Sequence, residues 1–390
     1  MAEREVESVI EAIRDAVPRL RANGQEAEDK RWLPEENIAL LEKAGVFRAA
    51  TPRRFGGLDL SLPEQADVLR EISRGCGSTG WVSMVWMSSA GLATLFPDAA
   101  QDEVFAGTSV RISGGFTPSG TLTRTEGGYL LNGTWRFNTG CRGADWNIAA
   151  AILQEADGSH SEAVAILPMD QFSIADDWNT SAAAATGSSS TTAKDVFVPE
   201  HRVISYESAI LNNTPGRTAP VTPGRGYRLF SYIMAVCAGT YVGLAEGALE
   251  LFRERVPGRG ITYTSYEDQS SHPLTQIQVA TAHNKIAAAR ALLDDQTAML
   301  QRHADAGGEP SEEEKAHVRG KTSFAIDLCR EAVDILYSAG GASVIQRNVP
   351  LQRFFRDARG LALHGLLLAS TNLEVQGRVL LGHDPETPFL

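Results

Sequence analysis

The feature that most constrains this chain is a change of hydrophobic period. Apolar residues recur at helical spacing up to about residue 105 and again from about residue 227 to the end. Between about Val110 and Val203, Gly, Thr and Ser multiply and short alternating runs appear. A chain whose period goes from 3.6 to 2 and back predicts a helical block, a separate β block and a second helical block. In the first block Val6, Ile10, Ile13, Val17 and Leu20 mark one helix, with Asn23-Gly24 as its stop. Pro34 opens a second helix that ends before Gly45, and a third runs from Pro63 through Ala66, Leu69 and Ile72. In the middle, Gly128–Gly133, Asn147–Leu153 and Ala163–Leu167 read as strands. Long helical patterns return at Leu229–Phe252, Leu274–Ala304, Ser311–Ser338 and Gln352–Leu381, which predicts a bundle. The Pro/Gly-rich stretch Asn212–Gly226 cannot continue a helix, so it is expected to be a mobile loop, either a lid or a plain linker. The expected protein is mainly α with a middle β domain. Its domains are expected at residues 1–110 (helical), 111–211 (β) and 212–390 (helical bundle).

Composition narrows the partners. The formal net charge of -12 disfavours a nucleic-acid backbone or an anionic membrane surface, and points to a small-molecule ligand. The N-terminus lacks the apolar core of a signal peptide, and no uninterrupted apolar run of membrane-spanning length is read, so a soluble cytoplasmic protein is expected. The four cysteines show no CxxC spacing and the eight histidines no HxxxH or HExxH spacing, which argues against disulfides and metal. No GxSxG elbow is present. Gly75-Cys-Gly77-Ser-Thr-Gly80 matches a dinucleotide fingerprint in its letters, but the preceding Glu64–Ser73 reads as helix. The fingerprint needs a strand entering the turn, so no nicotinamide site is expected there.

Several ordered segments together resemble the acyl-CoA dehydrogenase superfamily. They are Leu33–Gly45 followed by Arg53-Arg-Phe-Gly-Gly-Leu-Asp59, then Gly133-Thr-Trp-Arg-Phe-Asn-Thr-Gly140, Val196-Phe-Val-Pro199, Gly340-Gly341 and Arg353-Phe-Phe-Arg356-Asp357. The resemblance implies an N-terminal helical domain, a middle β-barrel-like domain and a C-terminal four-helix bundle, assembled as a homotetramer.

The same resemblance exposes what is missing. A dehydrogenase of this family needs a carboxylate to take the substrate α-proton, because that C–H bond is too weakly acidic to ionise unaided. It follows the Arg-Asp pair or sits on the first bundle helix. Here no Asp or Glu lies between Asp357 and Glu374, and none lies in Tyr227–Ala245. His364 stands in the vacated segment. That arrangement resembles the oxygenase components of two-component flavin hydroxylases, with His364 as base or hydrogen-bond donor. The resemblance implies a reduced flavin (FMNH2 or FADH2) supplied by a separate reductase, and O2 activated at the flavin C4a carbon in a closed, largely apolar site. Two other readings stay open: a dehydrogenase with a displaced base, and a catalytically silent flavin-fold partner.

For cofactor contacts the resemblance implies Phe137, Asn138, Thr139 and Gly140 at the flavin ring, with Phe116, Thr117 and Ser119 in a neighbouring loop. Trp81 is expected beside the ring, and Arg259, Gly340 and Gly341 at its phosphates. Trp86, Ser88, Ser89 and Cys141 are expected on the substrate side. Phenol hydroxylases of this group often carry a second histidine where Ser88 and Ser89 stand, which leaves oxidation at carbon, nitrogen or sulfur open. Thr186-Gly-Ser-Ser-Ser-Thr-Thr192 falls where the superfamily often has Thr-Gly-Ser, but its composition reads as a solvated loop.

Overall fold

The computed structural model describes residues 2–155 and 158–390. Six helices come first: α1 (Ala2–Ala22), α2 (Gly24–Lys30), α3 (Glu35–Lys43), α4 (Leu62–Gly75), α5 (Gly77–Ala93) and α6 (Asp98–Val104). The apolar stripe of α1 is buried at Val6, Val9, Ile13, Val17 and Leu20. Helix α4 begins with a reciprocal cap, in which Ser61 N–H donates to Glu64 Oε2 at 2.6 Å, and Pro63 sits in the first turn, where its missing N–H does no harm. The Gly75–Gly80 segment joins α4 to α5, so no strand enters it.

Among the described residues seven strands form one sheet: β1 (Ile112–Thr125), β2 (Gly128–Trp135), β3 (Trp146–Gln154), β4 (His160–Pro168), β5 (Ser173–Ile174), β6 (Thr191–Pro199) and β7 (Val203–Ser205). Their order is β5-β6-β2-β1-β3-β4-β7. Neighbours are antiparallel except β1 and β3. The sheet has its own small core around Leu122, Leu131, Trp135, Leu167 and Val198. Its other face joins the main core through Ile112, Ile148, Val164 and Ile166.

The chain returns to helix with α7 (Tyr206–Leu211), α8 (Leu229–Arg255), α9 (Pro273–Asp305), α10 (Glu312–Ala339), α11 (Leu351–Leu361) and α12 (Ala369–Leu380). Helix α8 is long and apolar enough to cross a membrane, contrary to the sequence expectation, but 89% of its most apolar window is buried inside the protein. Its glycines explain how closely it packs. A Cβ at Gly239, Gly243 or Gly247 would lie 2.7, 1.9 or 2.4 Å from the carbonyl oxygens of Ala66, Arg70 and Arg74 on α4. Glycine every fourth residue lets two backbones touch where any side chain would hold them apart.

The last helical pattern, expected as one run over Gln352–Leu381, is two helices with a break at 362–368. Buried Asn372 stabilises the break, donating to Leu366 O at 2.8 Å and to Ser323 Oγ at 2.7 Å. Periodicity cannot see such a partner, because it comes from another turn and another helix.

Within α11, the buried Asp357 accepts Ser78 O–H at 3.1 Å and Ala183 N–H at 2.7 Å. Burial raises its pKa, and the two donors oppose that rise. Asp357→Ala strands both donors and is expected to destabilise the fold by roughly 2–5 kcal/mol in urea denaturation. Asp357→Asn, which keeps an acceptor for Ala183 N–H, should lose less than half as much.

Candidate active site

After β2 the chain turns through residues 136–140. Phe137 adopts φ +59° and is 72% exposed, with the edge of Trp178 against it at 5.9 Å between ring centres. A large aromatic held outward at a disfavoured backbone angle is a surface prepared for another ring. Asn138 does the opposite. It is fully buried, and its Nδ2 donates to Asn147 Oδ1 and Thr191 Oγ1, both at 2.8 Å. Its side chain anchors the turn to β3 and β6 instead of facing outward. Gly140 has φ +75°, and a Cβ there would lie 2.5 Å from Trp86 Nε1, which itself donates to Gly140 O at 3.2 Å.

The turn is held by the segment read from composition as a solvated loop, and that expectation is corrected. Thr186, Ser189 and Thr191 are fully buried. Asn138 N–H donates to Ser189 O, and Gly140 N–H to Thr186 O, both at 3.2 Å. Thr139 Oγ1, Ser188 Oγ and Thr186 Oγ1 form a hydroxyl chain with steps of 2.8 and 2.7 Å. Buried hydroxyls need partners, and here each polar segment is the other's partner. The Thr-Gly-Ser likeness was the available signal.

Beside this turn β1 bulges. Gly115 pairs with Ala149 and Gly120 with Ala151, so the four residues 116–119 stand opposite one residue of β3. Such a bulge ejects backbone from the ladder and re-aims side chains. Thr117 and Ser119 are exposed there, while Phe116 packs partly on the main core.

On the helical side, the His364 and Trp81 rings meet edge-on at 5.7 Å between centres. His364 lies in the break between α11 and α12 and reaches solvent, yet protein surrounds it closely enough that burial lowers its pKa. Its Nδ1 accepts Leu366 N–H at 3.3 Å, so the neutral ring carries its proton on Nε2. Neither dehydrogenase position offers a base among the described residues. Asp357 is buried and committed, and Glu246, the first acid on α8, bonds Arg70 at 2.8 Å.

Arg259 and Gly340-Gly341 also come together. Arg259 Nη2 donates to Ser343 Oγ at 2.8 Å, and Arg255 Nη2 donates to the same oxygen at 2.7 Å. Among the described residues no carboxylate pairs with either arginine. Burial, with Arg259 beside it, lowers the pKa of Arg255. Gly341 has φ +70° with open space where a Cβ would stand. Two uncompensated cations and an open glycine turn fit an anion such as a cofactor phosphate. Sequence reasoning missed Arg255, whose signal was its place one helical turn before Arg259.

The four residues expected toward substrate separate. Trp86 is 1% exposed and supports Gly140 from behind. Cys141 is fully buried in the sheet's own core, and burial pushes its thiol up to about 11. Ser88 Oγ donates to Val85 O at 3.2 Å, and Ser89 Oγ is buried without a partner.

The residues present therefore fit a flavin: an outward aromatic, a hydroxyl-braced turn, a strand bulge and an acid-free arginine pair. Comparison with known proteins agrees with this reading. Residues 3–104 match the acyl-CoA dehydrogenase N-terminal domain and residues 235–368 the C-terminal domain of the same name. The chain belongs to the acyl-CoA dehydrogenase family. It is 30% identical over 386 residues to the oxygenase component of p-hydroxyphenylacetate 3-hydroxylase from Acinetobacter baumannii, spanning 97% of this chain and 90% of that one. It is 31% identical over 399 residues to the oxygenase subunit HsaA of a flavin-dependent monooxygenase from Mycobacterium tuberculosis, spanning 100% and 95%. Among solved structures, XiaF from Streptomyces sp. in complex with FADH2 and glycerol superposes with TM-score 0.94 at 29% identity, over 100% of this chain and 98% of that one. Within its family the protein is thus the oxygenase component of a two-component flavin-dependent monooxygenase that uses reduced flavin. A separate flavin reductase and a small-molecule substrate are implied.

The surroundings of His364 make a pH prediction. His364 stays neutral below its ordinary value near 6.5, so its NMR titration should show a midpoint below 6.5. The stability that its neutral form contributes is complete above about pH 6.5 and falls as pH drops toward the lower folded value. His364→Gln should flatten that part of the stability profile.

Proposed function

We propose that the protein hydroxylates an aromatic or amine-bearing small molecule at the recess between Trp81, His364 and the 137–140 turn. The observation that carries this is His364 in place of a carboxylate, held as a neutral ring with Nε2–H directed away from its own backbone contact. Reduced flavin supplies two electrons, so that one atom of O2 enters the substrate and the other leaves as water. The chain's own residues supply binding, orientation and exclusion of water. Phe137 offers a face to the flavin ring, and the Thr139–Ser188–Thr186 hydroxyl chain holds the turn rigid beneath it. Arg255, Arg259 and the Gly340-Gly341 turn hold phosphate. Buried Trp81 and Trp86 keep the inner wall dry, which suppresses loss of reducing power to solvent. His364 acts as a hydrogen-bond donor to the substrate's polar group, because its second nitrogen is already occupied.

The homotetramer remains part of this reading. Phe324, Leu363, Leu380 and Leu381 leave large apolar surfaces exposed near the bundle, which is the kind of surface a second copy covers. A cytoplasmic protein without membrane or nucleic-acid partners accords with the net charge of -12.

Mixing the protein and reduced flavin with oxygen in a stopped-flow instrument is expected to give a transient absorbance distinct from both reduced and oxidised flavin. Direct reoxidation at the free-flavin rate would overturn the oxygenase reading, and reduction of bound flavin by an acyl-CoA would establish a dehydrogenase. His364→Ala should retain flavin binding while lowering product formed per oxygen consumed. Arg255→Gln or Arg259→Gln should weaken reduced-flavin binding roughly 10-fold, with the loss shrinking at high salt, because a charge-assisted bond contributes about 1.5–3 kcal/mol.

A further inference from the structure

A cavity of about 350 Å³ lies at the far end of α5 from His364, walled by Gly91, Leu92 and Leu95 together with Tyr227, Tyr232 and the 212–225 segment. The residues of α5 connect the two places. Trp81, Val85, Ser88 and Leu92 follow one another at three- and four-residue steps and so share one stripe of the helix, with Leu95 just past its end. Trp81 meets His364 at one end, while Leu92 and Leu95 line the cavity at the other. Val85, between them, remains partly accessible in a helix that is otherwise almost wholly buried. From Trp81 to Leu92 the helix rises about 16 Å.

The cavity is built, with its walls fixed by hydrogen bonds. Tyr227 and Tyr232 stack at 5.6 Å and 9°. Their hydroxyls are committed to Gln301 and Gln65, both at 2.6 Å, so the rings present apolar surface. The 212–225 segment, expected to be mobile, is pinned. Asp98 Oδ2 accepts from Thr218 N–H at 2.8 Å, Thr218 O–H at 2.6 Å and Ala219 N–H at 3.0 Å, while Arg225 Nε donates to Asp59 O at 2.8 Å.

Charge then distinguishes one end. Three arginines line the cavity, Arg54, Arg217 and Arg225, against one carboxylate, Asp59. Arg225 pairs with Asp59 at 3.5 Å, and Arg54 bonds Gln101 at 2.6 Å with Asp98 at 3.5 Å. Arg217 has only the neutral amide oxygen of Asn212. Burial, with Arg54 nearby, lowers its pKa against the pull of Asp98. A half-buried guanidinium with spare donors and no acid of its own suits a planar carboxylate.

We infer that this cavity takes the carboxylate end of an elongated substrate, whose oxidised ring lies beside Trp81 and His364 and whose body follows the α5 stripe to Arg217. The inference rests on the oxygenase reading for the location of the oxidised ring. The substrate class is thereby an aromatic acid with a long body, larger than a single-ring phenol.

The test uses a series of ω-(4-hydroxyphenyl)alkanoic acids, from the two-carbon to the eight-carbon acid, and their primary amides. Binding to the full-length protein is measured by titration calorimetry. Acid and amide should bind alike when short, and the acid at least 10-fold more tightly at the long end. Arg217→Gln should abolish that preference while leaving amide affinity unchanged. Leu92→Trp, which fills the cavity without touching the arginines, should weaken the long members and spare the shortest. An acid preference that is equal at every length, or that survives Arg217→Gln, overturns the proposal. The stopped-flow transient with reduced flavin and oxygen is measured in parallel on the unmodified protein, where it is expected to appear. Its absence from the unmodified protein would refute the oxygenase reading and leave the binding result to be judged separately.

Discussion

Asp357 lies where three segments meet. Its oxygens accept Ser78 O–H at the start of α5 and Ala183 N–H at the start of the segment that braces the flavin turn, while its own helix leads on to the break that holds His364. A buried carboxylate is tolerated only when donors surround it, so removing either partner leaves charge or donors stranded. The interaction therefore sets the position of α5 and Trp81, of the 183–189 braces, and of the histidine that follows. The carboxylate of the Arg-Asp pair is an architectural group in this chain. Its commitment is also why it cannot replace the missing dehydrogenase base.

The division of labour around the site follows from where charge is allowed. Trp81, Trp86, Asn138 and Thr139 are buried, and the turn is hydrogen-bonded through neutral groups, with Phe137 alone facing outward. Among the described residues, Arg255, Arg259 and Arg217 bond only neutral oxygens. A neutral centre with cationic margins suits an anionic cofactor, because charge is then paired at the edge and excluded from the middle. The close α4–α8 contact at Gly239, Gly243 and Gly247 contributes to the rigidity that such a centre needs.

His364 illustrates how local geometry turns a residue type into a role. Either nitrogen of an imidazole can carry the proton. The turn that breaks the last helix brings Leu366 N–H to Nδ1, and this assigns the proton of the neutral ring to Nε2. The neutral ring thus presents a donor, where a carboxylate would only accept.

Hydrophobic period alone determined the helix–sheet–helix order, because burial of one face is a local, repeating demand on the sequence. Ordered motifs added the family, and the empty carboxylate positions added the reaction. The tertiary structure decided what depends on partners distant in sequence. Composition marked Thr186–Thr192 as solvated, yet the 137–140 turn buries it by consuming its polar groups. Asn138 and Cys141 lie within a few residues of Phe137 but point inward, and Trp86 supports where it was expected to touch substrate. Arg255 and Arg259 become a pair only when Ser343 meets them, and Arg217 is left with a neutral partner because Asp59 and Asp98 are already engaged. Periodicity records which face is buried; hydrogen-bond and charge partners are settled only when distant segments meet.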